Sequence, residues 1–267
     1  MKLTPYLLAA CLLASTLGSA CSSTPDTSED AETREKKAAL PEQSAQELFL
    51  QGNQKMDVRD FEGAVALYDQ ALKVDPKRWD IYMNKGIAHS SMQQFSEAVN
   101  AMDAALTNGG DAHAEVYFNL GNIYQNRGLY AQSIKAYRSS LTLRERPHVD
   151  TILNIAAGLM FMRETDKAQE TYEYLQTLAP DDARIYMGMG LLEQMRDNLE
   201  GAHAHFDRAI QMAPDYAHPY FMKGSLYGNT SKNKEGVEFL ERYLELEPNG
   251  PYAKMAKTRI KSMKKKM

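Results

Sequence analysis

One spacing constrains this chain more than any other: a pattern of small and large apolar residues returns every 34 or 35 positions, six times in phase. Small residues stand at Gly52, Gly86, Gly121, Ala156, Gly190 and Gly224, and again twelve positions on at Ala64, Ala98, Ser133, Ala168, Ala202 and Gly236. Four residues beyond the second set come Tyr68, Met102, Tyr137, Tyr172, Phe206 and Leu240. A period of this length marks stacked supersecondary units. Small residues at two fixed positions let antiparallel helices approach closely, large apolar residues interdigitate around them, and proline ends the second helix at Pro76, Pro180, Pro214 and Pro248. One such hairpin cannot bury its own apolar faces, so neighbours must stack.

Charge is segregated along the chain. Between Ala45 and Ala253 there are 29 acidic against 20 basic residues, whereas Lys254 to Met267 holds seven basic residues and no acid. An acidic body argues against a nucleic-acid-binding array, which needs Lys and Arg along its groove. In the basic stretch, Tyr252, Ala256, Ile260, Met263 and Met267 fall at helical spacing with lysines between them. This predicts an amphipathic helix over residues 251–267, capping the last hairpin, with Pro251 in its first turn. Its lysines read as a solvated face or as a contact for anionic headgroups.

Residues 1–20 read as an export signal: Lys2, an apolar core from Leu7 to Leu17, then Gly18-Ser19-Ala20 as a small-residue cleavage zone. The core is too short for a permanent bilayer span. Cys21, directly after it, resembles the lipobox cysteine of bacterial lipoproteins, with Gly18 standing where that family usually has Leu. Acyl chains on Cys21, at about 0.8 kcal/mol per buried CH₂, would hold the chain to a membrane. Ser22 after the cysteine resembles an outer-membrane sorting signal, which implies a periplasm-facing, lipid-anchored protein. Ordinary secretion with cleavage after Ala20 is the alternative. Residues 21–44, rich in Ser, Thr, Asp, Glu and Ala, carry too little apolar surface to fold alone and read as a tether. The cysteines, Cys11 and Cys21, build no disulfide or zinc framework.

Over residues 45–250 the repeat resembles the tetratricopeptide repeat in period, spacing and residue type. Departures are local: Ala156 for Gly, Leu175 where a small residue is usual, Gly236 and Tyr243 in the sixth unit, and imperfect endings at Gly109-Gly110 and Glu145 to Pro147. The resemblance implies an all-α, right-handed superhelix of about six hairpins, an α-solenoid. In that family the first helix of each unit lines a concave groove where peptides bind. Carried over, groove residues are Phe49, Met83, Phe118, Leu153, Met187 and Phe221, with Met56, Met160, Phe161 and Met195 a turn further on. A methionine-rich apolar groove suits an apolar peptide or amphipathic helix, and the same stripe also reads as core between repeats.

Asn84, Asn119 and Asn154 recur at 35 residues, with Asn53 and Asn122 nearby. They resemble the family's peptide-backbone contacts, since a carboxamide both donates and accepts; bonds to neighbouring helices are the other reading. A chaperone-type carboxylate clamp is disfavoured, because Gln46, Asp80, Glu115, Asp150, Arg184 and His218 leave only Arg184 as a cation.

For catalysis the chain offers little. No HExxH, Gly-rich phosphate loop or GxSxG occurs. His203 and His205, two apart, lie on different sides of a helix, so no metal pair and no cofactor site is expected. The expectation is a non-enzymatic, membrane-anchored scaffold for a protein partner. Export, Cys21 and six repeats together resemble the lipoproteins that help type IV pilus secretins assemble, the pilotins. An adaptor for a periplasmic protease or peptidoglycan hydrolase is the alternative.

Overall fold

The computed structural model describes residues 43–228 and 232–267. The export signal, Cys21 and nearly all of the tether fall outside the described residues. Among the described residues the 34/35 period becomes thirteen α-helices: α1 (Ala45–Asp57), α2 (Phe61–Val74), α3 (Trp79–Ser91), α4 (Phe95–Thr107), α5 (Ala114–Asn126), α6 (Tyr130–Thr142), α7 (Val149–Phe161), α8 (Thr165–Leu178), α9 (Ala183–Met195), α10 (Leu199–Met212), α11 (Ala217–Tyr227), α12 (Asn233–Leu246) and α13 (Ala253–Lys264). The first twelve form six antiparallel hairpins in a solenoid, and α13 packs on the last. Between the second and third hairpins, where no proline ends the unit, Gly109 at φ 100° leads into a 3₁₀ turn, Gly110–Ala112, before α5.

Side-chain caps mark several helix starts. Ser44 and Glu47 form a reciprocal capping box at α1. Asp60, Asp182 and Asn198 accept from first-turn backbone N–H groups of α2, α9 and α10. The first five hairpin turns use the same backbone device. Gly128 at φ 75° donates its N–H to Gln125 O at 2.9 Å, and Leu129 donates to Tyr124 O at 2.8 Å. This is a Schellman ending. Arg59, Gln93, Arg163 and Asp197 repeat it at φ of 60° to 63° without glycine. An L side chain in that region costs about 1–2 kcal/mol, partly matched by the entropy a glycine loses on folding. Gln93→Gly is therefore expected to stabilise the chain by about 0.5–1 kcal/mol, read as a raised urea midpoint; a lowered midpoint would show that the Gln93 side chain outweighs its backbone strain.

Within a hairpin the recurrent glycine meets the large residue sixteen positions on. A Cβ on Gly121 would press into the Tyr137 ring, and one on Gly190 into Phe206. Tyr68, Tyr137, Phe206 and Leu240 are fully buried at these contacts and their equivalents. At roughly 1.5–3 kcal/mol for each large apolar side chain removed from water, this central row supplies much of the drive to stack. Ion pairs link hairpins at the rim: Lys85 to Asp69 at 2.5 Å, and buried Lys223 to Asp207 at the equivalent place.

The cap differs from expectation at its ends. Ala256 and Met263 are buried and Tyr252 and Ile260 half-buried, but Met267 is 67% exposed. The helix stops at Lys264, so Met267 has no turn to bring it back to the core. Pro251 lies in the turn before Ala253 rather than in the helix.

A candidate peptide-docking face

The face lined by the first helices is built seam by seam. Between α1 and α3, Tyr68 Oη donates to Asn53 Oδ1 at 2.7 Å and Asn84 Nδ2 donates to the same oxygen at 2.8 Å. Between α5 and α7 the arrangement returns: Tyr137 Oη donates to Asn122 Oδ1 at 2.8 Å, and Asn154 Nδ2 approaches it at 3.4 Å. Burial pushes the Tyr68 phenol up to about 12 and raises Tyr137 as well, so both stay neutral donors. At the α3/α5 seam Ile87 and Met102 take the amide and tyrosine places, and Asn119 turns to its own helix, donating to Glu115 O at 2.9 Å and to Met83 Sδ at 3.5 Å. The five asparagines are half-buried and bonded within the array. Their foremost visible role is to clasp adjacent first helices.

The expected apolar row divides. Phe49, Met83, Phe118 and Leu153 are half-buried. Phe49 lies beneath Arg78 at 5.4 Å, and Phe118 sits between Tyr137 and the edge of His148. Met187 and Phe221 are 6% and 4% exposed and belong to the core. Phe221 stacks on Tyr252 at 4.4 Å and 9°, because the cap folds over the sixth hairpin. Phe221 is thereby covered, whereas Met187, though largely buried, still lines a cleft between α7 and α9.

The seam between α7 and α9 is open. A cleft of about 550 Å³ is lined by Ala157, Met160, Phe161, Arg163, Tyr172, Leu191, Gln194 and Met195. A second, of about 360 Å³, shares Ala157, Tyr172 and Leu191 and runs past Leu153, Asn154, Met187, Gly188 and Met222 to Tyr252, with Asp150, Arg184 and His218 also in its lining. First helices of three successive hairpins thus contribute to one apolar trough. Phe161 is 64% exposed and stacked on Tyr130 at 4.6 Å, and Met195 is 37% exposed. Ala157 and Gly188 stand where the closed seams have asparagine, and Tyr172 where they have Tyr68 and Tyr137. The sequence does carry this signal: in the aligned units, Tyr172 is the tyrosine without its two amides.

Arg184 is held by Asp182 at 2.6 Å and Asp150 at 2.7 Å, which raises its guanidinium further above its ordinary range, so it is not free to grip a carboxylate. His203 stacks on Tyr227 and His205 lies against Tyr186. Burial lowers both imidazoles, favouring the neutral form. Among the described residues no group of three His, Cys, Asp or Glu is placed to hold a metal, and no helix is long and apolar enough to cross a membrane.

Family models described as tetratricopeptide repeat match residues 114–147 and 217–249, and residues 49–91 and 153–219, together well over half of the chain. The chain belongs to the tetratricopeptide repeat family. The tetratricopeptide array is 30% identical over 136 residues to human tetratricopeptide repeat protein 28, a match covering 51% of this chain and 5% of that protein. It spans only a small part of that relative. Among solved structures, a tetratricopeptide repeat protein from Parabacteroides merdae superposes with a TM-score of 0.69 at 18% identity, covering 87% of this chain and 89% of that one. PilW, described as a widely conserved type IV pilus biogenesis factor, gives 0.67 at 15% identity, covering 79% and 97%. At these identities the likeness is one of fold.

Proposed function

We propose that this tetratricopeptide protein is a non-enzymatic, membrane-tethered scaffold that holds a partner protein along its first-helix face. The observation that carries the reading is the apolar trough across α7, α9 and α11, with Phe161 and Met195 left at the surface. A side chain as large as phenylalanine left 64% exposed beside a cleft of this size favours a protein contact. The tether reading rests on the sequence of residues 1–44, with Cys21 as the lipidated residue. The partner we favour is an outer-membrane assembly such as the type IV pilus secretin; the likeness to PilW supports this through fold alone.

Crosslinking in intact cells followed by capture of this chain tests the proposal. The wild type should bring down an envelope assembly component, and Phe161→Glu should lose it with helix content unchanged. Cys21→Ala should release the protein from membranes and abolish fatty-acid labelling. Secretin assembly unchanged in a deletion strain would sink the pilus reading, and capture of a protease or peptidoglycan hydrolase would replace it with the adaptor.

A further inference from the structure

We propose that the open seam between α7 and α9 is a pocket for one bulky apolar side chain of an extended partner segment, with Tyr172 Oη donating to that segment's backbone carbonyl. The proposal rests on the scaffold reading above and specifies what that face selects.

One buried donor in this seam lacks a matching acceptor. Tyr172 is 3% exposed, yet its hydroxyl finds only the thioether of Met160, at 3.4 Å. Sulfur is a weak acceptor, and a buried hydroxyl without an oxygen partner is costly. Its counterparts Tyr68 and Tyr137 are each satisfied by an asparagine oxygen at 2.7 or 2.8 Å. In this seam the two amides are replaced by Ala157 and Gly188, and a Cβ on Gly188 would collide with the Tyr172 hydroxyl. Tyr172 leans into the place a Gly188 side chain would take, Ala157 is too short to reach it, and the cleft lies beside them with both Ala157 and Tyr172 in its lining.

The remaining walls define the occupant. Met160, Phe161, Leu191 and Met195 offer adaptable apolar surface, suited to a phenylalanine- or leucine-sized group. A carbonyl free to accept from Tyr172 points to an extended segment, because carbonyls within a helix are already used by its own N–H groups. Arg163 is the one charged member of the larger cleft's lining, so an acidic neighbour in the partner segment complements its rim.

The test uses the full chain with ¹³C-methyl methionine and N-acetylphenylalanine as probe, which carries an apolar ring, an amide carbonyl and a carboxylate. Met160 and Met195 methyl signals should shift saturably, while Met83 and Met102, two hairpins away, stay fixed. N-acetylalanine should give no saturable shift. Tyr172→Phe, which keeps the ring, should weaken probe binding about tenfold. Ala157→Asn should give Tyr172 an internal acceptor and abolish the shifts. An equal response to both probes overturns the proposal, as does unchanged affinity in Tyr172→Phe; should Ala157→Asn unfold the chain, Tyr172→Phe decides. If the probe binds as expected but no partner is captured from cells, the scaffold reading falls and the pocket stands. If a partner is captured through Phe161 while the probe leaves Met160 and Met195 unmoved, the pocket alone falls.

Discussion

Deleting residues 251–267 should split the thermal unfolding of this chain into two steps, with the sixth hairpin melting at least about 10 °C before the rest. The cap contributes buried Met263 and Ala256, with Tyr252 and Ile260 half-buried against α12. Removing them exposes Leu240, Val237 and Tyr243, for a loss of roughly 5 kcal/mol at 1.5–3 kcal/mol per large side chain. At about 2–4 °C per kcal/mol for a chain this size, the shift falls between about 10 and 20 °C. Because each hairpin touches mainly its neighbours, the damage should stay local rather than spread through the array. Calorimetry beside circular dichroism would resolve the two steps. A single transition at the wild-type temperature would mean that the lysine-rich helix is not a structural lid.

Tyr137→Ala is expected to cost about 3–5 kcal/mol, the range for removing a large aromatic from a core. The ring is fully buried against Gly121, and its hydroxyl sits at the α5/α7 clasp, also reaching Gln125 Oε1 at 3.0 Å. Tyr137→Phe separates the two roles: keeping the ring and losing the hydroxyl should cost only about 1 kcal/mol. Urea denaturation of both variants measures the split. Equal losses would place the stabilisation in the clasp rather than in the packing of ring on glycine.

How much of this was legible in the sequence follows from which signals are periodic. Helix pairs, glycine contacts and stacking were readable because Gly52, Gly121 and Gly190 recur in phase with Tyr68, Tyr137 and Phe206. The fate of Phe221 was not. It occupies the same register as Phe49 and Phe118, but Tyr252 arrives on it from outside the repeat. Asparagine spacing showed where amides would lie without showing that they would bond one another across hairpins. The open seam was hardest to see, because Ala157 and Gly188 make it by what they lack. Met267 misled for a simpler reason: its spacing fitted a helix that ends three residues earlier.

The left-handed turn positions have a different consequence. Arg59, Gln93, Gly128, Arg163 and Asp197 are all exposed, and each is held by backbone bonds that ignore its side chain. A solenoid assembled this way has one margin where residue identity is decoupled from helix packing. Charge along that margin can be rewritten unit by unit, from arginine to glutamine to aspartate, while the hairpins beneath keep their register. The margin is a place where such a protein can change its company without changing its shape.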